Sequence, residues 1–373
     1  MTETYDLIRY QIVPPLFLVF FTVVTQVRYQ ITCETKKNHY LKTMFFICQV
    51  LVVLANPELS FSVTSLITLG SFYAWKVVLT FYFWAFVSLK VPSKVFKGPA
   101  TPNGYIPLYS ANGFQYYLVS LLVFLALTFV FPTLCVDIYQ DFSNIIQVLN
   151  VSSLLLCGFL VFKGQNFPET KNDPLQSVDK PLAYLFYRGI ELHPRLLDVD
   201  VKQWTNCRVG MLGWALLTIV FAIADFHLNG FHAGPFVTAI LTNIYLAKFF
   251  AWETGYFDTL DITLDRAGYY LCWGCLCWVQ IFYTFTSLFM VGHPSKISNF
   301  ASFAILIYGL ISIMLNYAVD RQKEIFRGNN GKCHIWGRPA KFLVNICFYK
   351  RINRQSLQLY HFRKWNIKTM RAK

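Results

Sequence analysis

The sequence predicts an all-α fold, a polytopic membrane helix bundle with about nine transmembrane spans. Three observations lead there. Charged residues make up 14% of the 373 residues and hydrophobic residues 55%, whereas soluble domains carry about 25% charged residues. Apolar runs recur at roughly the 20-residue length that a hydrocarbon layer of about 30 Å requires. Lys and Arg fall almost wholly on one side once nine spans are drawn. The same composition excludes a disordered chain, a collagen, a coiled coil and a disulfide-rich secreted fold.

The spans are read near residues 12–27, 43–55, 61–89, 114–136, 146–163, 209–226, 233–252, 269–291 and 299–318. The second is short. The third is long and carries Lys76 near its middle, so it reads as one span or as two half-spans. The first run lacks a small-residue cleavage site and is read as a span, not as a cleavable signal peptide. With this count, 28 of the 33 Lys and Arg fall in loops or tail on one side, and only Arg9 and Lys296 on the other. The rule that cytosolic loops are positive then places the C-terminal tail in the cytosol and Met1 on the far side.

The net charge of +14 is unevenly distributed. From Asp320 to Lys373 there are 14 Lys and Arg and 2 Asp and Glu, a net of +12; residues 1–319 carry the remaining +2. The excess therefore marks topology and a basic tail, not a nucleic-acid partner. Among the ten cysteines, Cys272, Cys275 and Cys277 form a C-x-x-C-x-C cluster. They read either as a metal or redox site or as small apolar residues of a buried helix, and the second reading is preferred because no Cys/His set completes four ligands. There is no internal repeat and no soluble catalytic domain. Any chemistry belongs inside the bundle or at its cytosolic face.

Four segments are too polar for plain spans. Tyr187–Arg195 and Cys207–Met211 contain helix-breaking Pro and Gly, with Glu191, Arg195 and Arg208 available for ion pairs at the membrane edge; alone they read more simply as a solvated loop. The stretch from Tyr245 to Gly274 holds Glu253, Asp258, Asp261 and Asp265 amid Trp and Tyr. A carboxyl in an apolar, aromatic setting is raised and can hold a proton for delivery; the plain alternative is a loop made acidic for solubility. In Asp320–Gly328, Lys323 and Arg327 are four apart and project from one helix face. Spacing alone suits anionic lipid headgroups, or a phosphate ligand. Gly98–Gly104, followed by Tyr109, Asn112, Gly113 and Gln115, reads as a turn-rich cytosolic loop, either a lid or a connection.

In order and spacing these segments resemble the sterol reductase family, which includes the sterol Δ14-reductases and the lamin B receptor, and most closely its 7-dehydrocholesterol reductase branch. The resemblance rests on Thr101-Pro102-x-Gly104, Tyr109-x-x-Asn112-Gly113-x-Gln115, Lys163-Gly164-x-x-Phe167-Pro168 and Gly189-Ile190-Glu191-x-x-Pro194-Arg195. It continues through Glu253-Thr254-x-Tyr256-x-x-Thr259-x-Asp261-Ile262, His293-Pro294, Gln322-Lys323-x-x-Phe326-Arg327 and Ile335-Trp336-Gly337-Arg338. It covers roughly residues 60–344.

The resemblance implies an NADPH-dependent enzyme that reduces a ring double bond of a membrane sterol, Δ7 by preference. A buried acid protonates the alkene, and the cation so formed takes hydride from the nicotinamide. By matching position, Tyr245 belongs to the proton-delivery network, with Glu253 and Asp261 shaping it. Lys323 and Arg327 match the cofactor-phosphate contacts, which turns the reading of that pair from lipid to phosphate. The expected compartment is the endoplasmic reticulum in a eukaryote or the inner membrane in a bacterium. The organisation implied is a bundle over 1–318, a cofactor-phosphate segment over 319–344 and a basic tail over 345–373 unlike the family.

The chain also departs from the pattern. Cys275 stands where the family has an acid after Trp273-Gly274, Lys248 where it has an Asp, and Gln280 where it has a Pro. Beyond Val344 the last 29 residues carry eight Lys and Arg and no acid, where the family continues with further cofactor contacts. That end reads as truncated or out of frame. The alternative function is thus a non-catalytic membrane sterol-binding protein or scaffold of the same family.

Overall fold

The computed structural model describes residues 69–101, 104–168, 180–293, 297–329, 331–335 and 337–339. The spans expected at 12–27 and 43–55 lie outside them. Among the described residues seven helices are long and apolar enough to cross a membrane, one for each remaining expected span. The protein is a polytopic membrane helix bundle.

The first, α1 (Phe72–Lys90), starts where Ser71 accepts a hydrogen bond from the amide of Ala74, an ordinary N-cap. Lys76 lies in its second turn, exposed and 5.3 Å from the Phe72 ring centroid. The sequence had placed it mid-span. Because the helix begins eleven residues later than the apolar run, Lys76 sits near a helix end, where its amine reaches polar surroundings along an apolar stem. From residue 72 onward the span is one helix, not two halves.

A two-stranded hairpin follows, β1 (Val95–Lys97) against β2 (Leu108–Ser110), with Phe96 opposite Tyr109. Then come α2 (Gly113–Val130), α3 (Leu134–Gln140) and α4 (Phe142–Asn166). After α5 (Leu182–Arg188), a second hairpin pairs β3 (Arg195–Leu196) with β4 (Val199–Asp200). It leads into α6 (Gln203–Asn229), whose first segment, Gln203–Gly210, is π-helical. α7 (Ala233–Ala251), two short helices α8 (Glu253–Tyr256) and α9 (Leu260–Thr263), and α10 (Tyr269–Gly292) complete the sequence, α10 beginning in a second π-helical segment, Tyr269–Trp278.

The core lies between these helices. α6 packs on α3, α7 and the C-terminal half of α10, while α4 packs on α1 and on the π-helical start of α10. Phe142, Phe221, Leu212, Leu246 and Leu276 are among its buried side chains. Cys272 and Cys277 belong to the same core, packed as small apolar residues. The two π-helical segments pack against each other, and a Cβ on Gly210 would lie 3.2 Å from that of Cys275. Single π-turns inside helices recur at functional sites, because the wider turn redirects side chains.

α11 (Asn299–Gly328) is a single 30-residue helix with Ser302 its one buried residue. Gly309 meets Leu241 of α7. The chain divides into two compact units, Met1–Leu315 and Asn316–Lys373. In the second, the end of α11 is followed by a hairpin of β5 (His334–Ile335) and β6 (Arg338–Pro339).

Gly189 closes α5 with φ +86° and ψ +156°, a conformation open essentially to glycine alone. A Cβ there would sit 2.6 Å from the carbonyl of Ala267, and one on Gly268 would lie 2.2 Å from the Gly189 nitrogen. These two glycines let the loop before α10 cross the end of α5. Gly189→Ala is expected to cost about 1–3 kcal/mol, read as a lowered thermal unfolding midpoint in detergent. An unchanged midpoint would show that the crossing has slack.

Candidate functional site

Three segments far apart in the chain meet at one end of the bundle: 109–116, 200–210 and 252–266. Arg208 joins them. It is 0% exposed, and its guanidinium pairs through both terminal nitrogens with the Glu253 carboxylate, one of these contacts at 3.0 Å. The second terminal nitrogen also donates to Asn112 Oδ1 at 2.8 Å, and the guanidinium lies 5.3 Å from the centroid of the Tyr116 ring. Tyr116 donates in turn to the Arg208 carbonyl at 3.2 Å. Two-pronged pairing matches the planar fork of arginine to a carboxylate.

Local sequence makes room for this pair. Asn112 is fixed by donating to the Ser88 carbonyl at 2.7 Å, at the entry to α2. Gly113 follows because any Cβ there would fall 2.3 Å from Glu253 Oε2. The π-helical segment buries seven of its eight residues, Gln203, Thr205, Asn206, Cys207, Arg208, Val209 and Gly210. Gln203 exchanges two hydrogen bonds with the backbone of Ser110, at 3.1 and 2.7 Å, and Asn206 donates to the Tyr256 hydroxyl at 3.3 Å. Burial, followed by Cys275 and Cys207, pushes the Tyr256 hydroxyl well above its ordinary value.

Beside the pair lies a second buried polar group. Tyr109 stacks on Phe257, with ring centroids 4.2 Å apart, and shares a hydrogen bond with His193 Nδ1 at 3.2 Å. His193 Nδ1 is 4.0 Å from Asp200 Oδ2, an oxygen with no hydrogen-bond partner among the described residues, while Asp200 Oδ1 accepts from the Gln203 amide at 2.8 Å. Burial, then Lys202 and Arg266, holds His193 down at about 2, so its ring is neutral. Burial raises the Asp200 carboxyl, against the pull of Lys202.

The segments read as a solvated loop are therefore largely buried and paired. Glu191 meets Lys163 at 3.0 Å, Arg188 pairs with Asp265, and Arg208 pairs with Glu253. Arg195 instead reaches two backbone carbonyls, of Leu108 and Asp198. Gly210 does not break the helix that follows it. In the loop before β2 the Thr101 hydroxyl accepts from the Tyr105 amide at 3.1 Å.

The expected site residues fall in three places. Glu253 is at the centre of the buried pair. Asp261 is on α9, on an exposed face; partial desolvation, then Asp265, raises its carboxyl, with Lys202 opposing. Tyr245 is 40% exposed on α7, its ring 6.0 Å from Trp214, which lies 4.7 Å from Tyr283. Glu253 follows Tyr245 by eight residues, beyond the break between α7 and α8 at Trp252. Lys323 and Arg327 are exposed, one turn apart near the end of α11 in the second unit, with Lys323 Nζ 3.8 Å from Asp320 Oδ1. Two solvent-facing cations at that spacing fit a phosphate group by donor chemistry. Sequence reasoning missed Lys202, His193 and Asp200. The one available signal was a Lys two residues after an Asp just before an apolar run.

The Ergosterol biosynthesis ERG4/ERG24 family model matches residues 10–348. The 7-dehydrocholesterol reductase of Arabidopsis thaliana is 38% identical over 276 residues, covering 73% of this chain and 63% of the relative. That of Xenopus laevis is 31% identical over 259 residues, covering 68% and 53% respectively. A Delta(14)-sterol reductase of Methylotuvimicrobium alcaliphilum is 26% identical over 275 residues, covering 74% and 62%. The chain thus spans less than two thirds of the length of these relatives. Its family is nonetheless set by a match across nearly all of the bundle: the chain belongs to the ERG4/ERG24 sterol reductase family.

Proposed function

We propose that this protein is an NADPH-dependent sterol reductase of sterol biosynthesis, reducing a ring double bond, Δ7 by preference, by protonation followed by hydride transfer. The observation that carries the reading is the convergence of the family-like segments on the buried Arg208–Glu253 pair. The relatives named as 7-dehydrocholesterol reductases point to the Δ7 bond. Bound NADPH supplies the hydride. Lys323 and Arg327 hold its phosphate through charge-assisted hydrogen bonds.

Tyr245, Trp214 and Tyr283 form an aromatic row with Tyr245 and Tyr283 open on α7 and α10. Such a surface suits a flat apolar ring system and stabilises positive charge developing over its faces. Tyr245 stands where a proton is delivered to the ring. Glu253 is a positioning residue, because its pairing with Arg208 commits it as the anchor for the start of α8. Asp261, raised and open to solvent, is placed to exchange protons with the cytosolic side. The compartment is the endoplasmic reticulum in a eukaryote or the inner membrane in a bacterium.

The second reading, a sterol-binding protein without catalysis, draws on Cys275 and Lys248 standing where the resemblance has acids. Membranes from expressing cells, given NADPH and either 7-dehydrocholesterol or a Δ14 sterol, are expected to form the reduced sterol. No product with either substrate overturns the reductase and favours the second reading.

Two substitutions probe the parts. Arg208→Met leaves Glu253 buried without its partner and is expected to cost about 3–5 kcal/mol, seen as loss of folded protein from detergent extracts; Arg208→Lys recovers part of it. Lys323→Ala and Arg327→Ala are each expected to raise the KM for NADPH by about tenfold with kcat little changed. Equal KM values for variant and wild type would remove the phosphate role.

A further inference from the structure

Lys202 is a charged residue for which the reading above has no use, yet it is 0% exposed. It lies between β4 and the π-helical start of α6. Its ammonium donates to the carbonyl of Ile262 and, at 2.9 Å, to that of Asp265. These carbonyls close α9 and the turn after it. A four-residue helix leaves its C-terminal carbonyls without partners inside the helix, and a cation there also meets the negative end of the peptide dipoles. Asp261 sits on α9 itself, and Arg266, which follows the turn, donates to the Ile190 carbonyl.

We propose that Lys202 is the positioning residue of this site, clamping the segment from Leu260 to Arg266, and Asp261 with it, against the start of α6. Its role in reduction rests on the sterol reductase reading; the clamp itself does not. A buried amine with two carbonyl acceptors needs N–H donors that no apolar side chain supplies, and arginine is the one common substitute that keeps both charge and donors.

The clamp carries a pH signature of definite sign. Burial pushes the Lys202 ammonium down from 10.5 to about 8; Asp200, Cys272 and Asp265 oppose the shift and Arg266 adds to it. The groups facing it are Asp200 on β4, His193 ahead of β3, Asp261, Asp265 and Arg266 on the clamped segment, Arg188 paired to Asp265, and Cys272 on α10. Lifting the segment returns the amine to water and to its ordinary value. Below pH 8 both forms are charged and opening takes up no proton. Between pH 8 and 10.5 the closed form is largely neutral and the open form charged, so opening takes up a proton. The closed-to-open ratio therefore rises about tenfold per pH unit across that window. A neutral amine still donates to both carbonyls, so the closed geometry persists.

Hydrogen exchange of the amides of residues 258–266, on the full chain in nanodiscs of neutral lipid and corrected for intrinsic base catalysis, tests this. Wild-type protection is expected to be flat from pH 6.5 to 8 and to climb about tenfold per unit above it. Lys202→Met is expected to exchange at least tenfold faster at pH 7.5 in these amides, with the amides of Met211–Asn229 unchanged. Lys202→Arg is expected to restore protection but without the rise above pH 8. Wild-type protection that stays flat to pH 10, or Lys202→Met exchange equal to wild type, overturns the clamp. If Lys202→Met fails to fold, the wild-type and Lys202→Arg courses decide. Turnover measured on the same preparations reports separately: an inactive wild type with the exchange signature intact refutes the reductase and leaves the clamp standing.

Discussion

The pairing of Arg208 with Glu253 is the constraint on which the rest of the site depends. Removing two full charges from water costs several kcal/mol per ion even after relaxation. A charge that deep is tolerated only where geometry returns most of that cost. Here it does so through a two-pronged contact, a third acceptor on Asn112 and the face of the Tyr116 ring. Each requirement fixes a different piece of chain. Asn112 must be held by the end of α1, Gly113 must lack a Cβ, and α8 must begin at Glu253. The loops at this end of the bundle are thus ordered by charge burial together with apolar contacts such as the Tyr109–Phe257 stack.

The neighbouring charges follow the same rule. Lys163 with Glu191, Arg188 with Asp265, and Lys202 with two backbone carbonyls each tie one connecting segment to another. The first π-helical segment does the same for polar residues of its own. A wider turn at Gln203–Gly210 buries nearly its whole circumference, so Gln203, Asn206 and Arg208 all find partners within the protein. An ordinary amphipathic helix would have turned part of that set toward solvent or lipid.

How much of this could be read from the sequence depends on which physical signal each element leaves. Hydropathy marks spans because a lipid-facing or core helix is apolar over its length, and the seven described spans match the expected positions. Helix starts are less legible: Lys76 looked central because the apolar run extends upstream of Ser71. The loops were hardest. A polar residue paired inside a protein and one dissolved in water look alike in a one-dimensional pattern, so Tyr187–Arg195 was read as solvated though Glu191 and His193 are buried. The family-like spacing singled out Glu253 but did not give its partner, because Arg208 lies 45 positions away and pairs through the fold. Lys202 left little signal beyond its place two residues after Asp200 and its contribution to the positive side.

The described Lys and Arg residues thus fall into two physical settings. In the bundle, residues such as Arg208 and Lys202 are enclosed, so salt screens them little and their role is geometric. At the end of α11, Arg321 and Lys323 have side chains 55% and 63% exposed, and their pairs with Glu324 and Asp320 are surface contacts of small energetic weight. Cations held that loosely cost little to redirect toward a stronger anion. Phosphate, with more charge and acceptors than one carboxylate, is such an anion. The enclosed charges shape the site, and the exposed ones sit in loose surface pairs.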